Sequence, residues 1–427
     1  MNRKVLGALL ALGMVATAGP SVTYVNAVLT PGMRWVVVMV LAAALFLTRN
    51  LFRGLDGSTR LIAFAMLSYA VLSTLWSPVP DLTIFKSLAY VAVAISYSAV
   101  GAVWVRHANR ANVMHVFWPL AMLALAASLG GVVAPDAALR MNESVTLFRG
   151  LTFNSNFLGM LVLGALPLPL WHLLQPDLTP RQRWFHYALL AVLLQILLTT
   201  VSRASLLSAA ILLVFFFYAR GAGRFTLVVM TAIISVLVAS LLMPDLMADL
   251  IAQYVYKGAD PGLSALASRE ATWSASLEGA LQGGMFGLGY GASFGDNDFI
   301  LGLGATTYGR EKANVFLAIV EEIGLFGFAL FIAMLVTILM RAVSDIRSTR
   351  NPSARAMLLL LVGFIVAMTV HAQFEAWMFS PGGALTPAFW AAIGMLTGIG
   401  RDCRLERRAR AERRIAERQG QQAAIAS

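Results

Sequence analysis

Residues 356–370 read AMLLLLVGFIVAMTV, an apolar run that opens after Arg355 and closes at His371. It shows no alternation of period two, so it does not read as a half-buried strand. About 20 such residues in a helix match the ~30 Å hydrocarbon core of a bilayer. The span around it reads as 355–372, and similar stretches recur at 5–27, 33–48, 60–76, 84–105, 111–131, 155–175, 185–201, 204–219, 225–243, 313–340 and 386–400. In lipid only helices and closed barrels satisfy their backbone, and barrel strands alternate. The reading is an all-α polytopic membrane protein of about 12 transmembrane helices. Composition agrees. Of 427 residues, 59% are hydrophobic and 12% charged, with mean hydropathy +0.75. A soluble chain is about half apolar and about a quarter charged. This excludes a soluble globular enzyme and a disordered chain. The single cysteine, Cys403, excludes an intrachain disulfide framework and a thiolate metal cluster.

The first run follows Asn2-Arg3-Lys4 and contains Ala16-Thr17-Ala18, features of a cleavable signal. The next run starts soon afterwards, and the charge pattern works with the first retained, so it reads as a true span. The formal charge is +11, from 32 Lys and Arg against 21 Asp and Glu. With the N-terminus in the cytoplasm, every inner loop is basic. The inner residues are Arg3 and Lys4; Arg49, Arg53 and Arg60; Arg106 and Arg110; Arg181 and Arg183; Arg220 and Arg224; and Arg341, Arg347, Arg350 and Arg355. The tail adds Arg401, Arg404, Arg407, Arg408, Arg410, Arg413, Arg414 and Arg418, which leaves nine basic residues for the outer face. The excess charge is therefore a topology signal, with both termini cytoplasmic, and no nucleic-acid partner is expected. The chain divides into helices 1–9 (1–243), a long outer loop segment between spans 9 and 10 (244–312), helices 10–12 (313–400) and a basic cytoplasmic tail (401–427). The tail reads as an anchor on anionic lipid. The loop carries helix-like sequence over 264–282, and an outer segment of that length is usually functional.

Candidate chemistry collects at the outer ends of the spans. Arg203 lies in Thr199-Thr200-Val201-Ser202-Arg203 between two apolar runs. Either the runs form a hairpin with Arg203 at its tip, or they are one span with Arg203 inside the membrane. Its guanidinium fork suits phosphate or carboxylate. Arg269 and Trp273 fall on the loop helix, Arg149 on the outer edge of the sixth span, and Arg310 and Lys312 on either side of Glu311. Of the histidines, His107, His115, His172 and His186 fall at inner positions, and only His371 at an outer end. It stands four residues before Glu375, on one helical face if the helix continues, where a carboxylate can raise the basicity of an imidazole. Asp296-Asn297-Asp298 reads as a solvated turn rather than a cation loop. There is no Walker A motif and no dinucleotide fingerprint. No metal and no cofactor is expected.

These motifs, in this order, resemble the family of O-antigen ligases and O-antigen polymerases (WaaL and Wzy). Leu75-Trp76-Ser77-Pro78 resembles its Trp-Ser element. Arg149-Gly150 with Asn154 and Asn156 resembles a middle-span element, and Ser202-Arg203 its Ser-Arg. Arg269 and Trp273 followed by Gly287-Leu288-Gly289-Tyr290-Gly291 resemble its large periplasmic loop. Residues 314–327, with Asn314, Glu322, Gly324 and Gly327, resemble the element that follows. The resemblance spans most of the chain. It implies a metal-independent, GT-C-like glycosyltransferase of the bacterial inner membrane. The donor would be an undecaprenyl-pyrophosphate-linked glycan at the periplasmic face. The acceptor would be lipid A-core or a second lipid-linked glycan, in lipopolysaccharide or exopolysaccharide synthesis. Arg203, Arg269, Arg149 and Lys312 would hold the pyrophosphate. The sequence departs from the family at Ala313, where its loop histidine would stand, so either His371 with Glu375 is the base, or Glu321 or Glu322 is, or this subgroup works differently. The competing readings are a lipid-linked oligosaccharide flippase or transporter and a protein O-oligosaccharyltransferase.

Overall fold

Long apolar runs and few interior breakers drive the chain into helices, and the computed structural model describes residues 3–30, 32–108, 110–142, 145–256, 267–293, 312 and 314–426. The helices are α1 (Arg3–Ala18), α2 (Met33–Leu47), α3 (Gly57–Leu72), α4 (Pro80–His107) and α5 (Trp118–Val133). There follow α6 (Ser155–Ala165), α7 (Pro167–Leu174), α8 (Pro180–Thr200), α9 (Arg203–Ala219), α10 (Ala222–Leu242) and α11 (Pro244–Ile251). The chain closes with α12 (Ala267–Gly283), α13 (Val315–Ser348), α14 (Pro352–His371) and α15 (Thr386–Ala426). Among the described residues, 8 helical stretches are long and apolar enough to cross a membrane. Three shorter apolar helices, Met33–Leu47, Arg203–Ala219 and Ala222–Val236, occupy further runs of the sequence. The protein is an all-α polytopic membrane protein. A two-stranded antiparallel hairpin, β1 (Leu139–Asn142) with β2 (Val145–Phe148), was not expected from the sequence.

Small residues set the closest helix pairs. A Cβ on Gly101 of α4 would strike the backbone of Ala391 on α15, and one on Gly394 would strike the backbone of Ser98. Backbones in membranes approach this closely only where side chains are small. Pro167, two residues after Ala165, lacks the N–H that would continue the ladder and separates α6 from α7.

Contacts along the helices sort the molecule into two ends. At one end Arg341 Nη1 meets Asp56 Oδ1 at 2.6 Å, Arg404 pairs with both Asp56 and Asp345, and Arg401 donates to the Arg53 carbonyl at 3.1 Å. This basic end gathers loops that the charge pattern assigns to the cytoplasm. Three histidines lie there as a stack. The rings of His115 and His172 are 4.9 Å apart, and those of His172 and His186 4.2 Å apart. The opposite end holds Ser205 against His371, Gly159 against Ser202 and Ser205, and the start of α13. His186 meets His172 at the basic end, whereas Ser205 meets His371 at the other. So α8 and α9 run in opposite directions, and Arg203 is at the tip of a hairpin.

Candidate functional site

Three residues turn the chain between α8 and α9. Val201 takes a left-handed backbone, φ 49°, that a β-branched side chain rarely adopts. Strain of this kind costs on the order of 1–3 kcal/mol and survives only where the surroundings enforce it. Ser202 caps α9 in position, but its hydroxyl turns to Ser205 Oγ at 3.0 Å. Arg203 then opens α9, with Nη1 donating to the Val255 carbonyl at 2.7 Å, just after α11.

The segment after α14 is the hub. The helix ends at His371, and residues 372–377 form successive turns. His371 and Glu375 are therefore not on one helical face, as the spacing suggested. The reason is tertiary: Val315 N donates to the Ala372 carbonyl at 3.0 Å, and Ala376 N to the Lys312 carbonyl at 3.2 Å. These bonds peel the chain away from the helix axis. Each side chain of the turn then reaches a different element. Asn156 Nδ2, at the start of α6, donates to Glu375 Oε1 at 2.9 Å. Phe374 packs on Trp273 of α12 with ring centroids 6.1 Å apart. Arg269 lies one helical turn before Trp273 on that helix.

His371 is fully buried. Trp377 Nε1 donates to its Nδ1 at 3.0 Å. An indole nitrogen only donates, so Nδ1 accepts and the neutral ring carries its proton on Nε2. That N–H faces Ser205 Oγ at 3.0 Å. A serine–histidine nucleophile needs Nε2 to accept from the hydroxyl, so this pair is not one.

Lys312 and Glu322 form a second buried group. Lys312 Nζ is 2.8 Å from Glu322 Oε1 and 3.5 Å from Glu321 Oε2, and it donates to the Ala292 carbonyl at 2.9 Å. Glu322 Oε2 accepts from the Gly291 amide at 2.8 Å. All three side chains are buried. Lys312 thus points at two carboxylates of its own chain, and Glu322 is engaged at both oxygens. Asn314 caps α13, its Oδ1 accepting from Phe316 N at 2.8 Å and Leu317 N at 3.1 Å. Arg149 donates to the carbonyls of Ala137 at 2.8 Å and Phe153 at 3.3 Å, tying the hairpin to the start of α6.

The glycine run has a structural task that sequence reasoning missed. Helix α13 breaks at Ile323 and Gly324, the latter at φ 70°. The break frees the carbonyls of Glu321 and Glu322 and the amides of Leu325 and Phe326. The loop replaces both lost helical bonds. Leu288 N donates to Glu321 O at 2.8 Å and Gly289 N to Glu322 O at 2.9 Å, while Leu325 N donates to Gly284 O at 3.0 Å and Phe326 N to Met285 O at 3.1 Å. A Cβ on Gly287 would stand 2.5 Å from Gly324 N, and one on Gly289 would stand 2.5 Å from Ser77 Cβ. Trp76 Nε1 donates to the Gly287 carbonyl at 3.0 Å. The Trp76-Ser77 element, the glycine run and residues 321–326 are thus one assembly. It carries α12, and with it Arg269 and Trp273, on the broken helix.

Among the described residues no three His, Cys, Asp or Glu side chains converge to hold a metal ion. Ala313, Asp296-Asn297-Asp298, Arg310 and Glu311 lie outside the described residues. A buried ionisable residue that the sequence reading passed over is Lys86 of α4, 3% exposed. A lone lysine near the start of an apolar span is a signal that could have marked it.

No protein-family model and no curated protein matches the chain. Among solved structures it is similar to a chain described as "Structural coordination of polymerization and crosslinking by a peptidoglycan synthase complex". The identity is 18%, the match covers 82% of this chain and 98% of that one, and the TM-score is 0.44. A likeness this loose carries no argument about activity.

Proposed function

We propose that the chain is an inner-membrane glycosyltransferase that moves an undecaprenyl-pyrophosphate-linked glycan to an acceptor sugar at the periplasmic face, as an O-antigen ligase or a polysaccharide polymerase. The observation that carries this reading is the hub at residues 372–377. It brings Glu375 with Asn156, and Trp273 on the helix that bears Arg269, to the end of the bundle where Arg203 opens α9. That end lies away from the basic loops, as a periplasmic site requires.

The chemistry is a substitution at the anomeric carbon. An acceptor hydroxyl forms the new C–O bond, the bond from the anomeric carbon to the pyrophosphate breaks, and undecaprenyl pyrophosphate leaves. Arg203 and Arg269 meet the negative charge that develops on the leaving group, and fixed cations in a dry site are the efficient way to do so. Glu375 takes the hydroxyl proton, its carboxylate aimed by the Asn156 amide. His371 holds the turn through Ser205 and Trp377. Lys312 and Glu322 support the loop that positions α12.

The lipid-linked glycans of a strain lacking this chain test the reading. Single repeat units accumulating on the carrier, with no long chains, identify a polymerase. Long chains retained on the carrier, with bare lipid A-core, identify a ligase. Lipid-linked glycans confined to the cytoplasmic leaflet would overturn transfer in favour of flipping.

A further inference from the structure

Arg34 lies in the first turn of α2, on the face that the helix turns to the protein. Positions 34, 38, 41 and 45 share that face, and Val38, Leu41 and Leu45 are buried. A cation that only snorkels would instead follow the lipid-facing stripe of Val36, Met39 and Val40, each at least half exposed. The loop before α2 places this turn at the hub end of the bundle: Thr23 N donates to the Leu151 carbonyl at 2.7 Å, and Phe153 N to the Ser21 carbonyl at 3.3 Å. Arg34 Nη1 donates to the Gly382 carbonyl at 3.3 Å, and its guanidinium lies 4.8 Å from the centroid of the Trp35 ring. Gly382 belongs to the turns that follow the hub, where Gly383 N donates to the Ser380 carbonyl at 3.1 Å and Ser380 N to the Trp377 carbonyl at 3.0 Å. Neither contact of the guanidinium brings a negative charge. Its Nε is buried and makes no hydrogen bond, and among the described residues no carboxylate pairs with it. A guanidinium offers five N–H donors in a fork. A buried donor left unmatched is costly, and an oxyanion gripped at Nε and Nη would match it.

We infer that Arg34, backed by Trp35 and the Gly382 turn, is a second oxyanion site at the hub end, and that it takes the pyrophosphate of the acceptor's lipid carrier. The identity of the ligand rests on the proposed function. Transfer from one carrier-linked glycan to another brings two pyrophosphates to the same end of the bundle. Arg203 opens α9, whose Ser205 meets His371, whereas Arg34 of α2 meets the turn beyond Trp377. The helices that bear the two arginines thus touch the two ends of the segment 371–383, one for each carrier. Gly382 is what admits the group: a Cβ there would stand 2.5 Å from Arg34 Nη1 and 2.9 Å from Nη2.

The test uses the purified full-length chain in phosphatidylcholine nanodiscs, with undecaprenyl pyrophosphate as the probe and Arg203→Ala as the background, so that the donor site is already weakened. The carrier binding that remains should weaken at least about 10-fold with Arg34→Gln, the effect of losing charge-assisted hydrogen bonds. Arg34→Lys keeps the charge but not the fork and should lose part of the binding. Gly382→Ala pushes the flexible guanidinium aside and should also weaken binding, with the thermal midpoint unchanged. Undiminished binding in Arg34→Gln, or a background that binds no carrier, overturns the inference. So does displacement of the carrier by an equal amount of phosphatidylglycerol, which would mark a general contact with anionic lipid. Should Arg34→Gln not accumulate in membranes, Gly382→Ala decides: weaker binding supports the inference and undiminished binding overturns it. If the parent transfers no glycan, the proposed function fails, but the binding measurements still decide whether Arg34 holds a lipid pyrophosphate.

Discussion

At the residue scale, the proposed transfer depends on which side chain of the hub can take a proton. His371 is the more familiar base, but both ring nitrogens are spoken for by Trp377 and Ser205. Glu375 accepts from the Asn156 amide at 2.9 Å and, unlike His371, is only partly buried. Glu375→Gln should lower kcat by about 10²–10⁴-fold with the protein retained in the membrane, the range for loss of a positioned base. Asn156→Ala should cost less, because it only aims the carboxylate. Both are read from initial rates of polymer formation by purified protein. A Glu375→Gln enzyme at parental rate would return the role to another group. The sequence put His371 and Glu375 together by helical spacing. It could not show that bonds from Val315 and Ala376 would end the helix between them.

At the element scale, the break in α13 and the glycine loop are one unit. The four bonds between residues 284–289 and 321–326 replace helical bonds that a continuous span would have made for itself. Irregular backbone within a membrane bundle is tolerated only when its polar groups are paired in this way. Gly287→Ala forces a side chain into the Glu322 carbonyl at φ 79° and should sharply lower the thermal midpoint or abolish accumulation. Gly223→Ala, on α10 with nothing within 4 Å, should be neutral or stabilising by up to about 1 kcal/mol, as helix propensity dictates. Melting curves of the two detergent-purified variants check the contrast. The glycine spacing was plain in the sequence, but its partner lies more than thirty residues further on, which no local pattern reveals. The β1–β2 hairpin was hidden for a related reason: its strands are four residues each and contain no glycine to mark the turn. Lys86, by contrast, carried a local signal, a lysine in an apolar helix, that was passed over.

At the scale of the whole molecule, apolar runs and loop charges dictate most of the architecture. The hydrophobic stretches become helices, and the basic loops meet at one end, where Arg341, Arg401 and Arg404 tie α3, α13 and α15 together. The tail continues α15 as one helix of 41 residues, about 60 Å long at 1.5 Å per residue. Topology has a direct check, because Cys403 is the only native cysteine and is buried. In a Cys403→Ser background, Met141→Cys on the exposed hairpin should react with a membrane-impermeant maleimide in intact spheroplasts. Gln419→Cys on the tail should react only after permeabilisation. The reverse pattern would place the hub on the cytoplasmic side and remove the proposed site from its donor.

In the proposed transfer, arginines at the end of the bundle opposite the basic loops drive departure of the pyrophosphate carrier. The measurement is release of undecaprenyl pyrophosphate from a lipid-linked glycan by the purified chain in nanodiscs, with acceptor present, beside Arg203→Ala. Release is expected with the parent, coupled to a longer or newly attached glycan, and at least about 100-fold slower with Arg203→Ala, the loss expected on removing a charge-stabilising group. Release undiminished in Arg203→Ala, or glycan crossing the bilayer with its carrier still attached, would contradict it.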